Sequence, residues 1–291
     1  MGKVVGTIIL LVSCSFLAKS QSFYAAKRQR SLILSGGVGT STYYGDLANK
    51  STYIKAEPNL NVGLQAFISD RIGARIELNW FKLAGDDKNA DGGGRESRNL
   101  SFQSSNFELS AVGIVNLYRS GNRFYRRPGF NVYGFAGLGL LYFNPVAEDP
   151  STGELVSLQP LMTEGVSYSL VSLSIPYGLG MRVKLTPQLN LAIEGGWRKL
   201  FTDYLDDVST TYPGSAALTP EAFRLSDKRP GSSGAPGGIR GDSNNNDGYM
   251  LLNAKIEYYL PIDFDRSGNT KYSKKRKANN RYKNRGRSRR R

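Results

Sequence analysis

The side chains best suited to chemistry in this 291-residue chain are carboxylates and cations, because histidine is absent and cysteine occurs once. Without histidine there is no imidazole base, no His metal ligand and no Ser-His-Asp triad, and a single thiol makes neither a disulfide nor a thiolate zinc cage. What remains is a tight acidic group, Asp203, Asp206 and Asp207, with Asp46 as a more distant companion. Hard carboxylate oxygens in such a group are of the kind that hold calcium. Aspartates at this spacing equally close turns by accepting backbone N–H groups, and that simpler reading is preferred. No cofactor motif is present, since a phosphate cradle needs a strand-to-helix glycine turn. The chain is therefore read as non-enzymatic, with only an Asp-only or Ser-Lys mechanism left open.

The second chemical feature is a run of positive charge. The chain carries a formal charge of +15, and residues 262–291 hold +11 of it. The cations concentrate at Lys274, Lys275, Arg276, Lys277, Arg281, Lys283, Arg285, Arg287, Arg289, Arg290 and Arg291. The tail has almost no aliphatic residue and is expected to be disordered by itself. Such a segment attracts acidic surfaces with a steep salt dependence. Candidate partners are an acidic protein face, peptidoglycan carboxylates, or anionic phosphates of a membrane leaflet; a solvated tail without a partner is the plain alternative. Tyr272 and Tyr282 interleave the cations as in an RNA-binding arm, but an exported chain meets little nucleic acid.

Export is indicated by the leader. Lys3 is followed by the apolar run Val4 to Val12 and then by Ala18-Lys19-Ser20, a small-x-small cleavage site. The apolar stretch is shorter than the ~20 residues of a spanning helix, so residues 1–20 are assigned to a signal peptide and 21–30 to a short periplasmic segment. Leu11-Val12-Ser13-Cys14 also resembles a lipoprotein box, which keeps acylation of Cys14 as the rival.

The elements that would carry these groups follow from a period of two. Met250, Leu252, Ala254, Ile256, Tyr258 and Leu260 alternate with Asn253, Lys255 and Glu257, and Ala74, Ile76, Leu78 and Trp80 alternate with Arg75, Glu77 and Asn79. The same rhythm marks 60–69 and 189–198; with 32–41, 107–118, 132–142 and 171–185 it gives eight strands, each of a length that crosses a bilayer when tilted. Three connections are short (70–72, 119–131, 186–188) and four are long (42–59, 84–106, 143–170, 199–248). The fold class is thus all-β: over 31–261, an eight-stranded antiparallel transmembrane β-barrel with long extracellular loops, periplasmic turns and termini, and a basic C-terminal tail. A soluble eight-stranded barrel is the alternative, but it would point its apolar face inward. Here Arg75, Glu77, Glu194, Arg198, Lys255 and Glu257 share the face assigned to the lumen, where they are expected to pair across a plugged interior. Tyr43, Tyr44, Trp80, Trp197 and Tyr258 are assigned to interfacial girdles, Gly45, Gly134, Gly137, Gly139, Gly178 and Gly180 to crowded or bent positions, and the Pro-, Gly- and Asn-rich seventh connection to a mobile segment too polar to pack.

Six stretches in order carry a resemblance: Thr40-Ser41-Thr42-Tyr43-Tyr44-Gly45-Asp46-Leu47, Arg98-Asn99-Leu100-Ser101-Phe102, Phe143-Asn144-Pro145, Pro160-Leu161-Met162-Thr163-Glu164-Gly165, Ile175-Pro176-Tyr177-Gly178-Leu179-Gly180 and Asp203-Tyr204-Leu205-Asp206-Asp207-Val208-Ser209-Thr210. Together, over about 31–260, the chain resembles the PorG family, outer-membrane barrels of the type IX secretion system of Bacteroidetes. The resemblance implies a secretion and gliding-motility accessory that ties a periplasmic ring complex, a lipoprotein and its partner, to the outer membrane. It brings no catalytic residues with it, and the basic tail lies outside the pattern. A structural barrel tethered to peptidoglycan or anionic lipid through that tail is the competing reading.

Overall fold

A computed structural model describes residues 31–48, 56–89, 95–119, 127–229, 231–232 and 234–260. The assigned signal peptide with Cys14, segment 21–30 and the basic tail lie outside the described residues.

Alternating residues build eight long strands: β1 (Leu32–Tyr44), β2 (Glu57–Phe67), β3 (Ile72–Asp86), β4 (Ser101–Asn116), β5 (Phe130–Tyr142), β8 (Val171–Lys184), β9 (Leu189–Leu200) and β10 (Gly248–Tyr259). Each pairs antiparallel with its neighbours in the chain, β1 pairs with β10 at the seam, and β3 pairs with β4, so the sheet closes without an edge. The register has a stagger. A path of paired residues from Trp80 runs through Leu60, Val38, Ala254, Ile193, Met181, Val132 and Leu117 and returns opposite Asp70, ten residues down the starting strand. Eight strands with that stagger tilt by about 40°.

Closure sorts the two faces. Val38, Leu138 and Leu179 are 60%, 65% and 68% exposed, whereas Arg75, Glu77, Asn79, Glu108, Glu194 and Lys255 are all buried. This is an inside-out arrangement for a water-soluble barrel and the expected one for a wall against acyl chains. From Ile72 to Trp80 the outward side chains of β3 are apolar, a band of about 20 Å at this tilt.

Two expectations need correction. Several strands are longer than the alternation of apolar residues suggested: β4 starts at Ser101, not near 107, because above the apolar band its outward positions Ser101, Gln103 and Ser105 are polar and hide the period. The fifth and seventh connections, moreover, are folded among the described residues. Between β5 and β8 a hairpin, β6 (Pro145–Glu148) with β7 (Leu155–Ser157), docks on the end of β4 through Gln103 and Val146. The seventh connection is packed rather than mobile. It contains a helix, Pro220–Ser226, capped by Thr219 through its side chain on the Ala222 N–H, and buries Leu205, Val208, Tyr212 and Leu225. Its polar composition misleads because a few apolar anchors settle over the barrel mouth. There Tyr43, Phe81, Phe102, Phe143, Leu205 and Tyr249 form one buried cluster.

Candidate functional site

The interior of the barrel is the first place where reactive groups converge. Inward positions on β3, β9 and β10 bring Arg75, Glu77, Glu194 and Lys255 together at mid-height. Arg75 holds Glu194 in a two-pronged contact, Nη1 to Oε2 at 2.7 Å and Nη2 to Oε1 at 2.8 Å, and its Nε lies 3.0 Å from Glu77. Lys255 Nζ reaches Glu77 at 2.7 Å and Glu194 at 2.8 Å, and the Tyr133 hydroxyl donates to Glu194 at 3.0 Å. Toward the turns, Arg182 pairs with Glu257 at 2.9 Å and lies over the Tyr133 ring. Toward the loops, Glu108 accepts from the Tyr249 hydroxyl and faces Arg198 at 3.6 Å. Four cations thus answer four carboxylates, and the expected pairing of lumen charges is what the geometry contains. Buried pairs of this quality offset their desolvation only while every partner is present.

At the turn end, Arg127 closes the bore. Its guanidinium donates to the carbonyls of Pro187 (2.6 Å) and Thr186 (2.8 Å) and lies 4.4 Å from the centre of the Tyr259 ring. Sequence reasoning did not single out Arg127, because its partners, backbone carbonyls and the Asn190 side-chain oxygen, lie some sixty positions away.

The loop end forms a crown in which the motif residues meet. Arg98 grips Asp87 (2.6 and 2.8 Å) and donates to the Asp46 carbonyl; Arg240 pairs with Glu164 at 2.8 Å and donates to the Asp207 carbonyl. Glu164 in turn accepts the backbone N–H groups of Ser209 and Thr210, each at 2.9 Å. Arg240 and Glu164 were missed as a pair; the only local signal was a lone cation within a glycine-rich run.

The three aspartates separate within this crown. Asp207, in the left-handed region at φ 67°, accepts from Thr163 and from the Tyr168 hydroxyl at 2.7 Å. Asp206 accepts from the Tyr43 hydroxyl at 2.6 Å and from the Val208 N–H at 2.9 Å. Asp203 keeps one buried carboxylate oxygen, Oδ2, without a hydrogen-bond partner. Asp247, not singled out from sequence, joins Asp206 at the Tyr43 hydroxyl (3.1 Å) and accepts from the Leu205 N–H at 2.9 Å. Burial, against a hydrogen bond from Ser209 and helped by the like charge of Asp46, pushes Asp203 up to about 7. Burial pushes Asp206 up to about 8 against the Tyr43 hydrogen bond that lowers it, and burial with the charges of Asp206 and Asp203 pushes Asp247 well above the usual carboxylate range. Among the described residues, no three His, Cys, Asp or Glu side chains are arranged to hold a metal ion. Gly45 belongs to the same knot, since a Cβ there would stand 1.9 Å from Asp247 Oδ1 and 2.0 Å from the Tyr43 hydroxyl.

Tyr44, Trp80, Trp197 and Tyr258 lie on the outer wall, as the girdle assignment requires, whereas Tyr43 does not. Tyr44 packs on Trp197 outside the barrel with centroids 4.2 Å apart, and Tyr258 is part-exposed on the outer wall. Tyr43 points inward and is buried in the crown knot, as the next residue along a pleated strand must.

A protein-family model agrees with this architecture. The family model described as "Outer membrane protein beta-barrel domain" matches residues 8–215. Among solved structures, Neisserial surface protein A aligns over 79% of this chain and 97% of its own at 10% identity and a TM-score of 0.43. The outer membrane protein OprG from Pseudomonas aeruginosa aligns over 81% and 99% at 12% identity and 0.41, and a major outer membrane protein from Thermus thermophilus over 78% and 99% at 16% identity and 0.40. No curated protein matches the sequence.

Proposed function

This chain belongs to the outer membrane protein beta-barrel domain family, and from that premise we propose that it is a non-enzymatic component of the type IX protein secretion and gliding machinery, anchoring a periplasmic ring complex to the outer membrane. One observation carries the proposal. The bore is filled by balanced charge and capped at both ends, which leaves the rims and the chain beyond β10 as the working surfaces. The six family-like stretches support the same reading, since Tyr43, Asp46, Arg98, Glu164, Asp206 and Asp207 from four of them meet in one crown. β10 ends at Tyr259 on the turn side, and the cationic residues Lys274 to Arg291 follow from that end. Their +11 gives the chain a means of docking on an acidic periplasmic surface.

The test is purification of the tagged protein from membranes in gentle detergent, with and without residues 270–291. Recovery of ring proteins that falls on truncation, while the barrel still assembles, is the expected result. Equal recovery at low salt overturns the docking role, and recovery of peptidoglycan fragments or anionic lipid in place of ring proteins favours the tether reading.

A further inference from the structure

The stretch Ile175-Pro176-Tyr177-Gly178-Leu179-Gly180 sets a proline in the middle of β8, a strand paired on both sides, with β5 and with β9. Proline normally avoids such a position, because its nitrogen carries no hydrogen to donate to the ladder. The Lys184 N–H donates to the Gly129 carbonyl, which fixes the alternation of bonded pairs between β5 and β8. In that alternation Pro176 stands opposite Gly137 in a bonded position and occupies the place of the donor to the Gly137 carbonyl. The ladder accordingly runs from Phe130 to Ala136, stops, and resumes at Gly139, so that Gly137 and Leu138 face Pro176 and Ile175 without pairing. Among the described residues no side chain donates to the Gly137 carbonyl instead. At the closing seam, by contrast, β1 and β10 pair at every position from Ile33 to Tyr44.

The gap lies at the depth of hydrocarbon. Glu77 pairs with Ser110 and Ser110 with Gly139. Two strands' share of the ten-residue stagger, about 2.5 residues, brings Gly137 to the height of Glu77, near the middle of the apolar band from Ile72 to Trp80. An unpaired carbonyl is costly there, because no water serves it. The inward positions along the gap are Gly137, Gly139, Ser174, Pro176 and Gly178, none of them with a large side chain. The Phe135 ring fills the space behind: its Cζ lies 2.8 Å from where a Cβ on Gly178 would stand and 2.6 Å from one on Gly196. Phe135 belongs to an apolar patch of the inner wall with Val112, Ile114 and Tyr133, and the Arg75 guanidinium lies 5.3 Å from its ring centre. One aromatic ring and two unpaired rungs thus separate acyl chains from the bore.

We infer that the barrel wall is built to part between β5 and β8 at Gly137 and Pro176, with the Phe135 ring as its inner flap, and that parting gives the acyl phase access to the apolar inner patch. Parting here forfeits fewer ladder bonds than the same displacement along an unbroken strand pair, and the glycines on both edges supply no side chains to hold them together. Both ends of the bore stay capped, so access is sideways. The inference is independent of the secretion role, because it concerns only the barrel wall.

In the full-length protein folded in a neutral detergent, a thiol is placed on the inner wall beside the gap by Ser174→Cys and, near the closing seam, by Ser35→Cys; both serines are buried. The probes are N-ethylmaleimide, which is uncharged and enters the micelle, and a cationic methanethiosulfonate, which does not; the parent's own reaction is subtracted to account for Cys14. The maleimide is expected to modify Ser174→Cys about tenfold faster than Ser35→Cys, and the cationic reagent to modify neither. Adding Pro176→Ala, which gives the Gly137 carbonyl its donor, should slow the reaction of Ser174→Cys by about tenfold, the effect of one net hydrogen bond. Equal maleimide rates at the two positions, or an unchanged rate with Pro176→Ala, overturns the inference. Equally fast modification of Ser174→Cys by the cationic reagent also overturns it, since entry is then through the mouth. Heat-modifiable migration on gels verifies folding. Should a serine variant fail to fold, hydrogen exchange decides: in the parent, 134–140 and 172–178 should exchange about tenfold faster than 35–41 and 252–256, with the difference lost in Pro176→Ala, and equal protection in the parent overturns the inference.

Discussion

Replacing Glu194 by glutamine perturbs the centre of the lumen while preserving side-chain volume. Glu194 is 1% exposed and receives Arg75 through two contacts, Lys255 through one and the Tyr133 hydroxyl. Without its charge, Arg75 and Lys255 share Glu77 alone, and one buried cation loses its counter-charge. Two unit charges about 4 Å apart interact by about 1 kcal/mol in a water-like medium and by about 4 kcal/mol at the effective dielectric of a protein site. Leaving a buried ion without its partner costs about 3–5 kcal/mol. The expected loss is therefore about 3–5 kcal/mol for Glu194→Gln, and Lys255→Met should cost a similar amount by stranding the carboxylates. The double variant restores neutrality and keeps the Arg75–Glu77 contact at 3.0 Å, so its loss should be smaller than the sum of the two by at least about 2 kcal/mol. Equilibrium unfolding by guanidinium in detergent micelles, followed by Trp80 and Trp197 fluorescence, measures all four corners of the cycle. A Glu194→Gln loss within about 1 kcal/mol, or strict additivity, means that the bore is hydrated and the charges act singly, and refutes the plugged interior.

Two further outcomes concern the crown. The raised carboxyls Asp203, at about 7, and Asp206, at about 8, bind protons more tightly in the folded crown than when released. Their stabilising contribution is full below the ordinary carboxylate range near 4 and falls away as pH rises through about 7–8, so hydrogen exchange of residues 199–247 should quicken from pH 5 to pH 9 beyond its intrinsic rise, and a flat corrected profile counts against the knot. Arg240→Met leaves Glu164 and Asp207 without their guanidinium, at a cost of about 3 kcal/mol to the crown alone; limited proteolysis should then cut within 199–247 while heat-modifiable migration of the barrel persists, and unchanged resistance refutes the role given to Arg240.

The barrel was legible because its signal is local. Two faces in different solvents impose a period of two, and Ala74 to Trp80 against Arg75 to Asn79 displays it without any knowledge of partners. Where the outer face leaves the acyl region, that contrast vanishes: β4 from Ser101 to Asn106 reads as polar and was missed, although Phe102 and Asn106 point inward and are buried. The crown was illegible for a different reason. Arg240 finds Glu164 seventy-six positions away, and Leu205 finds the aromatic cluster over the mouth only after the barrel has closed. Nothing near either residue announces its partner. The error at Tyr43 is of a third kind, since adjacent residues of one strand cannot both face lipid; strict alternation, applied to Tyr43 and Tyr44 together, would have turned one of them inward.

The lumen contacts join residues distant in the chain: Arg75 to Glu194 spans 119 positions and Glu77 to Lys255 spans 178. β10 comes last in the chain, so the partners that Lys255 gives to Glu77 and Glu194 and that Glu257 gives to Arg182 are in place only when the barrel closes. A product cut short before Lys255 lacks Glu257 as well, so Arg182 toward the turns loses its carboxylate, the Arg75–Glu77–Glu194 group loses a cation, and the seam at β1 stays open. Completeness of the chain is thereby written into the bore, since only with β10 in place do Arg182, Glu77 and Glu194 have all their partners.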